Sequence, residues 1–210
     1  MRFAADEPII YVITAGDATD LDFAVQKRKI VRLAAIAVEL NISLIQIREK
    51  KLSARNVFEL AAAVAAEAHD SSTRILVNDR ADIAVAAGAD GVHLTTNSIP
   101  ADIIRKTFSK DLIIGVSAHT AKAAANASAN GADFAVFGPV FDTPGKGEPH
   151  GINGLSEVCR AVDGFPIIGL GGVDESNCSE IIAAGARGVA AIRALNDPDA
   201  MRRITQKLRS

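Results

Sequence analysis

Apolar residues fall in eight short, nearly continuous runs, at 9–14, 43–47, 74–77, 91–94, 112–116, 134–137, 166–170 and 188–192. Such runs are expected of strands buried on both faces. Between them lie longer segments with helical spacing, such as 23–40 and 54–69. Ser53 and Asp174 stand where helix N-caps belong, because a short side-chain oxygen there can accept from the first free backbone N–H groups.

The joints between these segments repeat. Ala87-Gly88-Ala89-Asp90-Gly91-Val92-His93-Leu94 resembles Ala184-Gly185-Ala186-Arg187-Gly188-Val189-Ala190-Ala191. Asn130-Gly131-Ala132-Asp133-Phe134-Ala135-Val136 is a third copy, and Leu40-Asn41-Ile42-Ser43-Leu44-Ile45 a weaker fourth. Each puts Gly or Asn where a helix ends in the left-handed conformation, then enters an apolar run. A helix-to-strand joint at every second unit predicts a βα series. Eight strands alternating with eight helices predict a single-domain α/β fold over 1–210, a compact (β/α)8 TIM barrel. A doubly wound open sheet is the alternative.

Composition narrows the picture. Of 210 residues, 49% are apolar, which is ample for a core; there is no Trp and one Tyr. The net charge of −2 gives no general basic field for nucleic acid, so an anion must meet a local cluster. Met1 to Pro8 contains Asp6 and Glu7 and lacks an apolar signal core, and no apolar stretch is long enough to span a membrane. A cytoplasmic protein is expected. Cys159 and Cys178 match no metal spacing and read as reduced, buried small residues on helices.

In such a barrel chemistry gathers past the C-terminal ends of the strands. The second run ends in Gln46-Ile47-Arg48-Glu49-Lys50, where alternation would point Gln46, Arg48 and Lys50 one way. The third ends in Asn78-Asp79-Arg80, the fourth in His93-Leu94-Thr95-Thr96-Asn97-Ser98, and the fifth in Ser117-Ala118-His119-Thr120. A hydroxyl and an imidazole there could bind phosphate or move protons, while Ser117 or Thr120 taken alone reads equally well as a helix cap. The sixth leads into a loop with Thr143, Gly145 and Lys146; glycine lets backbone N–H groups approach an anion, and lysine supplies charge. Gly171 and Gly172 follow the seventh, Ile192 and Arg193 the eighth, the usual place of a phosphate cradle. Gln46, Arg48, Lys50, Asn78, Lys146 and Arg193 therefore fall at one rim, which suits two phosphate groups. Asp79 is the best carboxylate for a divalent metal, since Mg²⁺ uses one or two carboxylates together with substrate phosphates. His93 reads as a packed interior residue, His69 as a helix-end cation, His150 as an exposed loop residue, and Lys27-Arg28-Lys29 as a solvated helix face.

Together these residues resemble a known family. Tyr-Val-Ile-Thr (11–14), Gln-Ile-Arg-Glu-Lys (46–50), Asn-Asp-Arg-Ala-Asp (78–82), Gly-Ala-Asp-Gly-Val-His-Leu (88–94), Gly-Val-Ser-Ala-His-Thr (115–120), Phe-Gly-Pro-Val-Phe-Asp-Thr-Pro-Gly-Lys (137–146) and Gly-Gly-Val (171–173) occur in the order seen in the thiamine phosphate synthase and TenI family. The resemblance implies condensation of an aminopyrimidine diphosphate with a thiazole phosphate. It places Gln46, Arg48, Lys50, Asn78, Ser117, Thr143 and Lys146 on the diphosphate, Mg²⁺ on Asp79, and Gly171, Gly172, Ile192 and Arg193 on the thiazole phosphate. This chain departs from the family at three points: Ser98 stands where a second metal-binding Asp is usual, Gly145 replaces a Thr, and Arg193 a Ser. The change at Ser98 resembles TenI-type tautomerases, which need no metal and would use His119 as acid and base. A non-catalytic binder of thiazole or thiamine phosphate is the third reading. Partners are then small phosphorylated molecules rather than nucleic acid or membrane, and a homo-oligomer stays open.

Overall fold

Eight parallel strands form the frame: β1 (Ile9–Ile13), β2 (Leu44–Ile47), β3 (Arg74–Asn78), β4 (Gly91–Leu94), β5 (Ile113–Ala118), β6 (Phe134–Phe137), β7 (Ile167–Leu170) and β8 (Gly188–Ala191). Each pairs with its neighbour in chain order, and β8 closes on β1 from Ile9↔Gly188 to Val12↔Ala191. These coordinates are a computed structural model that describes residues 7–210. Residues 1–6, most of the stretch read as lacking a signal core, lie outside the described residues. The helices are α1 (Phe23–Glu39), α2 (Ala54–Glu67), α3 (Ala81–Ala86), α4 (Ala101–Thr107), α5 (Ala121–Ala129), α6 (Gly151–Ala161), α7 (Cys178–Ala183) and α8 (Pro198–Arg209), with a 3₁₀ turn at Ala194–Asn196. The closed barrel is the (β/α)8 architecture expected from the strand pattern, not the open sheet.

Two cores follow from burial on both strand faces. Ile9, Tyr11, Ile13, Leu44, Leu76, Ile113, Phe134, Val136, Ile168 and Ala190 fill the barrel interior. A second layer, including Ile10, Val12, Ile45, Ile75, Val77 and Val189, packs outward on the helices. No helix among the described residues is long and apolar enough to cross a membrane. Both cysteines are free; Cys178 is buried and Cys159 half-buried, and desolvation raises both thiol pKa values.

The repeated joints do one job. Asn41, Gly88, Gly131 and Gly185 all take positive φ, between 52° and 96°, and turn a helix end into a strand. The polar residue that follows then caps the preceding strand. Asp90 accepts from Ile75 N–H on β3 at 2.8 Å, Asp133 from Ile114 N–H on β5 at 2.7 Å, and Ser43 from Ile10 N–H on β1 at 3.2 Å. Arg187, at the same place in the remaining copy, offers no acceptor and donates instead to the Glu7 carbonyl at 2.8 Å.

Two local expectations need correction. Ser53 does cap α2, accepting from Asn56 N–H, but Asp174 is not the cap of α7; Asn177 is. The Asp174 carboxylate is taken up by Ser176 N–H and Oγ at 2.7 and 2.6 Å, so the chain completes a tight turn before the helix starts. His69 lies past the end of α2, against the Asp70 carboxylate at 3.0 Å. Asp70 itself has φ 65°, which ends the helix earlier than its apolar pattern suggests.

Asp133 also pairs with Arg105 at 2.8 Å, and Arg105 donates to the carbonyls of Gly131, Lys110 and Leu112. Replacing Asp133 with Ala strands the Ile114 N–H and leaves Arg105 without its carboxylate. Urea unfolding of Asp133→Ala is expected to show a loss of about 2–3 kcal/mol.

Candidate active site

Parallel strands all open their following loops at one end of the barrel, so the residues just past the strands share that rim. Asp79, just past β3, is the centre of a dense polar knot. Its carboxylate accepts from Asn78 Nδ2 at 2.9 Å, from Thr95 N–H at 3.2 Å and Thr95 Oγ1 at 3.3 Å, and from the Ser98 hydroxyl. Ser98 also accepts from Thr95 N–H at 2.6 Å. Asp79 has φ 58°, an uncommon conformation for a side chain with a Cβ, and its N–H is held by the His93 carbonyl at 2.9 Å. The exposed carboxylate thus stands out from the strand ring with hydroxyls on one side.

The Gln46–Lys50 stretch divides. Gln46 points into the barrel and is 1% exposed, with Nε2 donating to the Tyr11 hydroxyl at 2.8 Å. Arg48 is half-buried, and its guanidinium passes close to Gly16 in the β1–α1 loop. Strand β2 ends at Ile47, so the alternation that would align Lys50 with Gln46 and Arg48 does not continue; Lys50 sits in an exposed turn. The cause is Glu49. It is buried, and its two oxygens accept from Gly16 N–H and Ala18 N–H at 3.0 and 2.9 Å. This clamp pulls the chain out of strand geometry and ties the β1–α1 loop to β2.

On the far side of the mouth, the loop after β6 leans on the loop after β7. Val140 N–H and Phe141 N–H donate to the carbonyls of Leu170 and Gly171 at 2.8 and 3.0 Å. A Cβ on Gly172 would lie 2.6 Å from the Asp142 carbonyl, and one on Gly171 would crowd Pro139 and the Thr143 hydroxyl. Both glycines have positive φ, so no other residue fits without moving the loop. Thr143 donates to the Phe141 carbonyl at 2.9 Å, while Lys146 is exposed on the loop. The neck is closed by His150 N–H to Pro139 O at 2.9 Å and Gly151 N–H to Val140 O at 3.0 Å, and the His150 ring lies 4.8 Å from that of Phe137. His119 Nδ1 donates to the Gly138 carbonyl at 2.6 Å, which leaves Nε2 as its free acceptor. Thr120, not Ser117, caps α5. Past β8, Ile192 is half-buried against the interior core and exposed Arg193 precedes the 3₁₀ turn.

A family model described as thiamine monophosphate synthase matches residues 10–195. The chain belongs to the thiamine monophosphate synthase family. It is 48% identical over 159 residues to a putative thiamine-phosphate synthase of Geobacter sulfurreducens, covering 74% of each chain. It is 36% identical over 207 residues to the thiamine-phosphate synthase of Roseiflexus castenholzii, covering 96% of this chain and 88% of that one. Among solved structures, a thiamine phosphate pyrophosphorylase from Pyrococcus furiosus superimposes with a TM-score of 0.80 at 27% identity, over 96% of this chain and 95% of the other.

Except for Lys50, the motif residues lie at the strand ends, while Tyr11, Glu49 and Thr95 carry contacts that the strand pattern does not announce. Tyr11 was hidden inside an apolar run, where only a lone hydroxyl among aliphatics signals a buried polar partner. Besides Gln46, that hydroxyl meets His93, whose Nδ1 is 3.2 Å from it and whose Nε2 is 3.0 Å from Ser117 Oγ. Burial lowers the His93 pKa to about 4, with the Asp79 charge opposing the shift and Arg48 adding to it. Burial also raises the Tyr11 pKa. Both side chains are neutral across the physiological range.

A histidine with a depressed pKa binds fewer protons in the folded state than in the unfolded chain. Its contribution to stability is complete above about pH 6.5 and is lost progressively as pH falls to about 4, roughly 3 kcal/mol in all. Urea unfolding between pH 7.5 and pH 4.5 should show this loss, and His93→Gln should flatten it.

Proposed function

We propose that this protein is a thiamine phosphate synthase, joining 4-amino-2-methyl-5-hydroxymethylpyrimidine diphosphate to thiazole phosphate. The observation that carries the reading is the gathering of Arg48, Lys146, Asn78, Asp79 and Ser117 around one mouth, a cationic and donor-rich set suited to a leaving diphosphate. The bond between the pyrimidine methylene and the diphosphate oxygen breaks, and its electron pair leaves with the diphosphate. The thiazole nitrogen then supplies the pair for the new C–N bond, so no general base is required. Arg48 and Lys146 stabilise the charge that develops on the diphosphate, whereas Lys50 stands apart on its exposed turn. Gln46, Asn78, Ser117 and Thr143 orient that substrate. Gly171, Gly172, Ile192 and Arg193 receive the thiazole phosphate on the opposite side. The loop carrying Lys146 keeps water from the pyrimidinylmethyl cation.

The Asp79 knot fits a magnesium ion. It offers one exposed carboxylate with the hydroxyls of Ser98 and Thr95 beside it, a donor set that would suit an ion which generally takes only one or two carboxylates from protein. Asp79 would hold the ion and Ser98 would stand beside it; bound there, Mg²⁺ neutralises diphosphate charge. Purified protein supplied with both substrates is expected to form thiamine phosphate only with Mg²⁺, and Lys146→Ala to lower kcat/KM about 100-fold or more. Ser98→Asp is expected to lower the Mg²⁺ concentration needed for half-maximal rate, because it adds a second anionic oxygen ligand.

One observation favours a second reading. His119 is exposed and its Nδ1 is committed to the Gly138 carbonyl, so Nε2 is the nitrogen that would serve as a base. A TenI-like tautomerase would use that base to isomerise a thiazole carboxylate phosphate without metal. Isomerisation that persists in chelator and disappears in His119→Asn, with no thiamine phosphate formed, would replace the synthase reading. Binding of thiazole phosphate with neither turnover would leave a non-catalytic binder.

A further inference from the structure

Four polar side chains cross the apolar barrel interior in one hydrogen-bonded row. Gln46 Nε2 on β2 meets the Tyr11 hydroxyl on β1 at 2.8 Å, that hydroxyl meets His93 Nδ1 on β4 at 3.2 Å, and His93 Nε2 meets Ser117 Oγ on β5 at 3.0 Å. Gln46, Tyr11 and His93 are at most 3% exposed, while Ser117 is half-buried at the mouth. Phe134 walls the row, with its ring edge-on to Tyr11 at 5.7 Å. Gly115 makes room for it: a Cβ there would lie 2.4 Å from Phe134 and 2.9 Å from His93 Nδ1. Phenylalanine at position 11 and an aliphatic at 93 would fill an interior of this kind without burying polar atoms.

Its protons can be followed from one end. The Gln46 amide nitrogen only donates, so Tyr11 accepts there and its single proton goes to His93 Nδ1. A neutral imidazole that accepts at Nδ1 carries its proton on Nε2 and donates it to Ser117 Oγ. The Ser117 proton is then turned onward, and phosphate oxygens in the mouth are acceptors that can take it. We propose that Tyr11 is a positioning residue which, through His93, holds the Ser117 hydroxyl as a donor to an oxyanion bound in the mouth. This deepens the synthase reading and rests on it, since that reading makes the oxyanion a diphosphate. With the Gln46 amide turned over, every bond in the row reverses, His93 carries its proton on Nδ1, and Ser117 becomes an acceptor that repels the same ligand.

The test is the His93 tautomer, read from long-range ¹H–¹⁵N correlations of ¹⁵N-labelled protein at pH 7.5. The expected form has its proton on Nε2; a proton on Nδ1 overturns the proposal. In Tyr11→Phe the tautomer bias is expected to be lost. The Kd for inorganic diphosphate should rise about tenfold, the effect of one charge-assisted hydrogen bond, and that for thiazole phosphate should not move. The rise should vanish when Tyr11→Phe is made on Ser117→Ala, because the two act in one chain. An unchanged diphosphate Kd, or equal weakening of both ligands, assigns Tyr11 to packing alone and overturns the proposal. Should Tyr11→Phe fail to fold, the tautomer of the unaltered protein decides. Diphosphate binding without thiamine phosphate formation would sink the synthase reading while both measurements still judge the row.

Discussion

The pairing of β8 with β1 is the contact on which everything else depends. It turns a parallel sheet into a ring with no edge, so every strand is satisfied on both sides and every following loop opens at one end. Residues scattered along the sequence, from Arg48 to Arg193, become neighbours of one mouth only because of that closure. The ring also creates an interior that must be filled. Aliphatics fill most of it, yet Tyr11, Gln46 and His93 occupy part of it with polar atoms, each paired with another. The interior is thereby continuous with the mouth through Ser117 rather than sealed from it.

Much of this was legible in the sequence because the barrel repeats one local rule. The left-handed residues at Asn41, Gly88, Gly131 and Gly185 announce the helix-to-strand joints, and the apolar runs give strand positions within a residue or two. The rule fails where a side chain competes with it. Glu49 captures two loop amides, so the alternation does not run on past Ile47 and Lys50 falls out of line with Arg48. Asp174 captures Ser176 and delays α7. Tyr11 was invisible for the opposite reason: its partner Gln46 comes from another strand, and only the register of the barrel brings them together.

The Asp79 carboxylate is surrounded by hydroxyls at the mouth. Ser98 donates to the same Asp79 carboxylate that a metal would use, and Thr95 donates to it twice. Hydroxyls stabilise a carboxylate without adding charge. His119 is prepared differently, with one nitrogen fixed by a backbone carbonyl and the other left free. The mouth thus holds an exposed carboxylate ringed by hydroxyls past β3 and an imidazole anchored through one nitrogen past β5.

The two backbone hydrogen bonds at the neck of the β6–α6 loop make it a sealed parenthesis in the chain. Pro139 and Val140 are already joined to His150 and Gly151, so β6 and α6 are tied together without help from the residues between them. The entropy of closing the intervening segment changes only slowly with its length. Thr143 to Pro149 can therefore diverge, lengthen or be exchanged with little effect on the barrel. A change of substrate could begin there as a graft confined to one loop, with the scaffold left as it stands.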